Sequence, residues 1–469
     1  MSQKFRAPRR AFVVLALLAA VAAVAAATGH KTAAAGHAMT PAVGNTPTFQ
    51  NLGVLDSAPG QIGRLRQCQL DGTCYGPDQI RNAYGFQPLL DQGTTGAGRT
   101  IVIIDAYGSD TLQQDFNTNN AYWGLPNQQI DVRYPQGQPS KTSDANRFGW
   151  KGETTLDVNT AHYIAPDAKI ILVVAKSNND SDILTATKYV ADGNLGDVVS
   201  QSYGEAEQCM DPKLLAKQQQ IFQQMTSEGI TLLASSGDDG AAQPTCDGSG
   251  LFKAASTPAS DPNVTAVGGT DLIATAPKGT LPKSTAAKPS FEKSPGGDYI
   301  SESVWNEGLE IAGGGGISTV YAKPAYQGSA VSGSMREVPD VAYSASLGHS
   351  ILVIMTCSTA DAVVCGGTAT FVFGFGGTSA GSPQWAGLVA LADQAKGGRL
   401  GLINPALYAI APSNNSAFHD VTAGNNSVPA DASTPGTPIS GFSATAGWDA
   451  ATGWGSPDAE YLVPALAGR

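Results

Sequence analysis

Charged side chains make up only 14% of the 469 residues, where about 25% is usual for a globular protein, and aromatic residues only 7%. Basic residues are the rarer half, 28 Lys+Arg against 39 Asp+Glu, and four of the 28 lie within the first ten residues. Without residues 1–27 the balance is 24 against 39, a formal charge of −15, which argues against nucleic acid or an anionic membrane as partner. A chain this poor in charge suffers little self-repulsion when its carboxylates protonate, which suits an acidic medium. Beyond residue 27 no apolar run approaches the roughly 20 residues of a bilayer span, and there is no internal repeat. Histidine is scarcer still, with five in all, two of them (His30 and His37) near the N-terminus.

What is present begins with Lys4, Arg6, Arg9 and Arg10, followed by an apolar, small-residue run from Ala11 to Ala27. This is the pattern of a secretory signal peptide, and it predicts a secreted, extracellular protein. Residues 28–76, rich in Ala, Gly, Thr, Pro and Gln, read as a short leader or pro-segment, and residues 77–469 as the functional domain. Six cysteines can pair completely in an exported chain. The simplest of fifteen connectivities joins Cys68 to Cys74, Cys209 to Cys246 and Cys357 to Cys365. Their spacings do not fit the common zinc patterns.

From Pro77 onward, short apolar runs alternate with longer helical patterns. Thr100–Ala106, Lys169–Ala175, Asp197–Gln201 and Ile230–Ala234 read as buried strands; Gly152–Ile164, Ser181–Gly193 and Asp211–Glu228 read as helices. Continuous apolar strands linked by helices predict an α/β fold with a mostly parallel central sheet, helices on both faces and long surface loops near 240–262, 276–300 and 412–443.

Three stretches could carry chemistry. In Gly376–Pro383, GGTSAGSP, Ser379 stands at a glycine-flanked turn opening an apolar helix that runs from Gln384 to about Gln394. Such a serine is either a nucleophile or a helix cap. A histidine base is poorly supplied, because His162, His349 and His419 sit in no glycine-flanked signature. In GETTLD, Glu153 and Asp157 are four apart and share one helix face. They read as a proton-sharing pair or as an acidic helix start. Near pH 4 an imidazole of pKa about 6.5 is almost fully protonated, whereas a carboxyl near 4.3 is still partly ionised. In SSGDDG, after the strand ITLLA, Asp238 is either a turn aspartate or an acid able to donate a hydrogen bond to an oxyanion.

These segments, with YGPDQIRNAYGF, VVSQSYGEAE, PASDPNVTAVGGT, REVPDVA, LINPALY, FHDVTAG and AGWDAATGWGSP, occur in the order found in the sedolisin (serine-carboxyl peptidase) family, which has a subtilisin-like fold. The resemblance runs from about Tyr75 to Pro464. It implies Ser379 as nucleophile, Glu153 as general base and acid, Asp157 orienting Glu153, and Asp238 as the oxyanion-hole acid. It also implies a C-terminal Ca2+ site built from the carboxylates of Asp420 and Asp449 and the carbonyls of Val421, Thr445 and Gly447. Peptide or protein substrates, endopeptidase action at acidic pH and a monomeric state are the corresponding expectations.

The chain departs from the family in offering only residues 28–76 where many members carry a large prodomain, and in placing Asp105 and Tyr203 where several have Glu and Trp. Other readings are a tripeptidyl exopeptidase, a histidine-based enzyme using His162, and a non-catalytic secreted calcium-binding module.

Overall fold

Alternate residues of a strand face opposite sides of its sheet. In the runs at 100–106 and 169–175 both sides are apolar, so both faces of the resulting sheet must be covered. The computed structural model describes residues 48–55, 63–139, 145–278, 296–308, 310–429 and 438–469. The expected signal peptide and residues 28–47 of the expected leader lie outside them.

The strands that matter to the site are β1 (Thr48–Val54), β2 (Thr100–Ala106), β3 (Asp131–Arg133), β4 (Lys169–Ala175), β5 (Val198–Gln201), β6 (Thr231–Ser235), β7 (Thr265–Ala274), β8 (Tyr299–Val304), β9 (Val341–Ser344), β10 (Ser350–Thr356) and β11 (Thr370–Gly376). The helices are α1 (Ala145–Ile164), α2 (Asp180–Asp192), α3 (Pro212–Ser227) and α4 (Gly381–Lys396). An eight-stranded sheet runs β8-β7-β6-β5-β2-β4-β3, with β9 also on β7. All its pairings are parallel except β7 with β8.

Ile101 and Ile103 of β2 join one core with Leu156 of α1 and Leu388 of α4, while Val102 and Ile104 join a second with Ile183 of α2 and Phe222 of α3. The doubly covered sheet expected from the sequence is therefore present. The four expected strands and three expected helices fall within a residue or two of their predicted bounds, except that α1 starts seven residues earlier, at Ala145. Asp211 caps α3 by accepting from the N–H groups of Lys213 and Leu214, ahead of Pro212 in the first turn.

All three cysteine pairs of the simplest scheme are disulfides. One loop expectation fails in part. Within 240–262, residues 254–261 are buried rather than a surface excursion. Ser256 and Thr257 there pair antiparallel with Glu205 and Ala206.

A second sheet of four strands sets β1 against β11, β11 against β10, and β10 against Cys74–Tyr75. Its strand β1 comes from the segment read as a leader, and Thr48 pairs with Gly376 at the end of β11.

Candidate active site

Helix α1 is buried along almost its whole described length. Its polar side chains survive there by bonding back to the helix: Thr155 donates to the Lys151 carbonyl at 2.8 Å, Asn159 to Thr155 at 2.7 Å and Thr160 to Leu156 at 2.9 Å. Glu153 and Asp157 have no such outlet. Helix α4 packs against α1 at Gly387, where a Cβ would come within 2.6 Å of Ile164 Cβ. That close approach brings the start of α4, and Ser379 just before it, alongside the acidic face of α1.

Ser379 sits in a short 3-10 turn, Thr378–Ala380, leading into α4. The turn begins at Gly377, whose φ of +118° lies in the region that favours glycine, and where a Cβ would meet Asp238 Oδ2 at 2.7 Å. Asp238 follows β6 and is tied to the turn: the Thr378 N–H and hydroxyl donate to its Oδ1 at 2.8 and 2.7 Å. Asp238 is partly exposed as a residue, yet its Oδ2 is buried and has no hydrogen-bond partner.

Ser379 Oγ and both carboxyl oxygens of Glu153, Asp157 and Asp105 are likewise buried and make no well-formed hydrogen bond among the described residues. With Asp238 Oδ2 they make eight such oxygens. Native folds leave few buried polar atoms unpaired, so a cluster of eight calls for a functional explanation.

Electrostatics mark these groups as one unit. Burial drives Glu153 well above the ordinary carboxyl range, and Asp157, Asp105 and Asp238 push it further; only the neighbouring Ser379 hydroxyl holds it down. Burial also raises Asp157, helped by Asp105 and opposed by Ser202 and Glu153. Asp105 is raised to about 7 by burial, against a lowering contact from Thr154. Burial raises Asp238 to about 6, opposed by the Thr378 bonds. Carboxyls this close titrate together, and most remain neutral in acid.

The structure thus gathers Ser379, Glu153, Asp157 and Asp238 into one site and adds Asp105 at the end of β2. Tyr203 donates to Gln201 Oε1 at 3.0 Å and packs against the Trp150 ring at 6.1 Å between centroids. Thr378, Ser202 and Thr154 touch the acidic groups; each lies within one of the motifs above, but its residue type alone does not mark it as part of the site. The histidines are engaged elsewhere. His162 contacts the Pro126 carbonyl at 2.8 Å and Gln128 at 3.2 Å, and burial lowers it to about 4. His349 faces Asp271 at 2.6 Å, and His419 stacks on Tyr299 at 3.7 Å.

Asp420 and Asp449 converge on one turn. Gly447 N–H donates to Asp420 Oδ2 at 2.9 Å, and Thr445 N–H to Asp449 Oδ2 at 2.8 Å. Val421 is buried beside Asp420. Two carboxylates with carbonyls from two loops are a donor set that fits a hard cation. Among the described residues no three His, Cys, Asp or Glu side chains gather around a metal position. A cation here would therefore take most of its donors from the backbone.

A family model described as the subtilase family matches residues 144–432. Kumamolisin from Bacillus sp. (strain MN-32) is 34% identical over 409 residues, covering 84% of this chain and 64% of that protein. Sedolisin from Pseudomonas sp. (strain 101) is 31% identical over 401 residues, covering 81% and 60%. The chain therefore spans less than two thirds of the length of these curated relatives. Among solved structures, Pseudomonas sedolisin (serine-carboxyl proteinase) complexed with two molecules of pseudo-iodotyrostatin superposes with a TM-score of 0.64 at 28% identity, over 85% of this chain and 99% of that one. The chain belongs to the subtilase family, has its subtilisin-like α/β fold, and is a homologue of kumamolisin and sedolisin.

Proposed function

We propose that the protein is a secreted serine-carboxyl peptidase that hydrolyses peptide bonds in acid through Ser379, Glu153 and Asp157, acting as an endopeptidase. The observation that carries this reading is the buried Ser379 hydroxyl facing Glu153, with no competing partner for either and no histidine in the cluster among the described residues.

In this reading Glu153 takes the hydroxyl proton as Ser379 Oγ bonds to the substrate carbonyl carbon. Negative charge develops on the carbonyl oxygen, and neutral Asp238 donates a hydrogen bond to it from Oδ2. Glu153 then passes its proton to the leaving amine. Water releases the acyl group by the same steps in reverse order, restoring the Ser379 hydroxyl. Burial and mutual repulsion disfavour more than one negative charge in the cluster, and the productive form carries that charge on Glu153. The productive form needs Glu153 ionised and Asp238 protonated, and its population peaks between the two titrations whichever lies lower.

Three disulfides accord with an oxidising, extracellular setting. Among the described residues no helix is long and apolar enough to cross a membrane. Asp420, Asp449 and the carbonyls of Val421, Thr445 and Gly447 would hold Ca2+, whose role would be to brace the C-terminal loops.

The test is hydrolysis of casein or denatured haemoglobin by the purified protein across pH 3–7, with Ser379→Ala and Glu153→Gln in parallel. Internal cleavage products seen by mass spectrometry are expected, with both variants inactive. Release of N-terminal tripeptides alone would overturn endopeptidase action, and full activity in either variant would overturn the mechanism.

A further inference from the structure

The loop that carries Asp238 is not self-supporting. It is laced to a run of four glycines, Gly313–Gly316: Gly314 N–H donates to the Gly237 carbonyl at 2.7 Å, and Ser236 Oγ donates to the Gly314 carbonyl at 2.7 Å. Just before the run, Ala312 N–H donates to the Asp238 carbonyl at 2.9 Å. A tetraglycine run has no side chains of its own to fix it and loses more conformational entropy on ordering than any other sequence. Something outside it must hold the pair of segments in place.

Asn426 meets both. It is fully buried. Its Nδ2 donates to the Gly313 carbonyl at 3.1 Å, and its backbone carbonyl accepts from Ala241 N–H at 3.1 Å, three residues past Asp238. Its Oδ1 accepts from Phe442 N–H at 2.7 Å and its own N–H donates to the Phe442 carbonyl at 3.1 Å, which anchors it in the C-terminal loops. The contact with the Asp238 loop is tight. At Gly240, φ +63°, a Cβ would come within 2.3 Å of the Asn426 carbonyl oxygen. A small apolar cluster joins the same three segments beside it, with Ala242 from the Asp238 loop, Ala312 from the glycine side, and Val428 and Ile439 from the C-terminal loops.

We propose that Asn426 is a positioning residue that fixes the Asp238 loop at the distance the oxyanion requires. The proposal rests on the role given to Asp238 above. Asparagine suits the task because one planar group offers a donor and an acceptor at once, and the Gly313 carbonyl and Phe442 N–H use one each. Misplacing a catalytic group by about 1 Å costs on the order of 100-fold in rate. That loss falls on the transition state rather than on substrate binding, because an oxyanion donor acts only where charge develops.

The experiment compares Asn426→Ala and Asn426→Asp with wild type in the purified full chain. The readouts are kcat, KM, inhibition by a peptide aldehyde that forms a hemiacetal with the nucleophile, and Tm. For Asn426→Ala, kcat falls by about 100-fold, aldehyde affinity falls in parallel, and KM stays within about threefold. Asn426→Asp, measured at pH 4 where a buried carboxyl is protonated and can donate to the Gly313 carbonyl, recovers kcat and aldehyde affinity to within about tenfold of wild type. Should Asn426→Ala not fold, Asn426→Ser, too short to reach Gly313, carries the same comparison. A folded Asn426→Ala or Asn426→Ser enzyme with wild-type kcat and aldehyde affinity overturns the proposal, as does a loss confined to Tm or KM. If Ser379→Ala is fully active, the catalytic reading itself has failed, a result distinguishable from failure of the Asn426 role alone.

Discussion

Asp238 accepts both the N–H and the hydroxyl of Thr378, at 2.8 and 2.7 Å, through the same oxygen, Oδ1. Its other oxygen is left bare beside the turn that carries Ser379. A carboxyl held this way by one oxygen can present the other as a fixed O–H donor. Asparagine at 238 would keep both Thr378 bonds through its Oδ1 and offer an N–H that does not titrate. We therefore expect Asp238→Asn to retain measurable activity and to lose the alkaline limb, because its donor no longer ionises. Asp238→Ala, with no donor, should fall by about 100- to 1,000-fold in kcat. Initial rates over pH 3–8 decide this. An Asn variant that keeps the wild-type alkaline limb would show that another group sets it.

Folding stability should rise as the solution is acidified from neutral. Asp105, Asp239 and Asp393 are raised to about 7, Asp115, Asp238 and Asp261 to about 6, and Glu153 and Asp157 also lie high, all chiefly by burial. Between about pH 4, where these groups titrate when unfolded, and pH 7, the folded state binds more protons than the unfolded. Stability then increases as pH falls through that window. His162 and His419, held neutral down to about 4 by burial, pull the other way, but they are two groups against eight. Below about pH 4 the depressed carboxyls Asp131 and Asp361 begin to lose their ion pairs with Arg133 and Lys151, and the gain stops. Calorimetry should give a higher Tm at pH 4.5 than at pH 7; the reverse order would mean that the buried acids are solvated in solution.

The strands of the central sheet were legible because β2 and β4 are uninterrupted apolar runs, and their helices because the runs are spaced for crossovers. The acidic residues were legible through their motifs and not through local pattern, since GETTLD alone describes many helix starts. Strand β1 was not legible. Its sequence TFQNLGV loses strict alternation at a register shift between Asn51 and Gly53, and its partner β11 lies more than 300 residues away. Asn426 escaped for the same reason: each of its bonds to the Asp238 side joins segments over 100 residues apart, and an asparagine in a Ser/Thr/Pro-rich stretch looks like a turn.

The pairing of β1 predicts where the mature chain begins. Phe49 packs edge-on against Phe148 of α1 and Phe373 of β11, at 5.7 and 5.6 Å between ring centroids, and Leu52 is buried. A strand so placed is part of the fold that carries the site, so N-terminal sequencing of the active protein should find a start at or before Thr48. Leu52→Ala should destabilise by about 2–5 kcal/mol, measured by denaturant midpoint. An active enzyme beginning after Val54 would contradict both.

A cation at the Asp420 and Asp449 loops would bind only the folded protein, and so would raise Tm by mass action. Adding Ca2+ to chelator-treated protein at pH 5 should raise Tm, and Asp420→Asn or Asp449→Asn should abolish the increase. An equal response in wild type and both variants would place the ion elsewhere.

Asp105 stands where its charge, if present, would burden Glu153, the proposed base. It raises both Glu153 and Asp157, and itself ionises at about 7. Replacing it by Asn removes a potential negative neighbour while keeping the side chain's size, so Glu153 should ionise at lower pH. The limb of the kcat/KM profile that follows Glu153 then moves down, while the limb that follows Asp238 stays in place. Asp105→Glu instead adds a methylene to a fully buried position and should lower Tm without that selective shift. If the pH–rate curves of wild type and Asp105→Asn coincide on both limbs, Asp105 does not share the proton of the proposed catalytic pair, and the unit ends at Asp157.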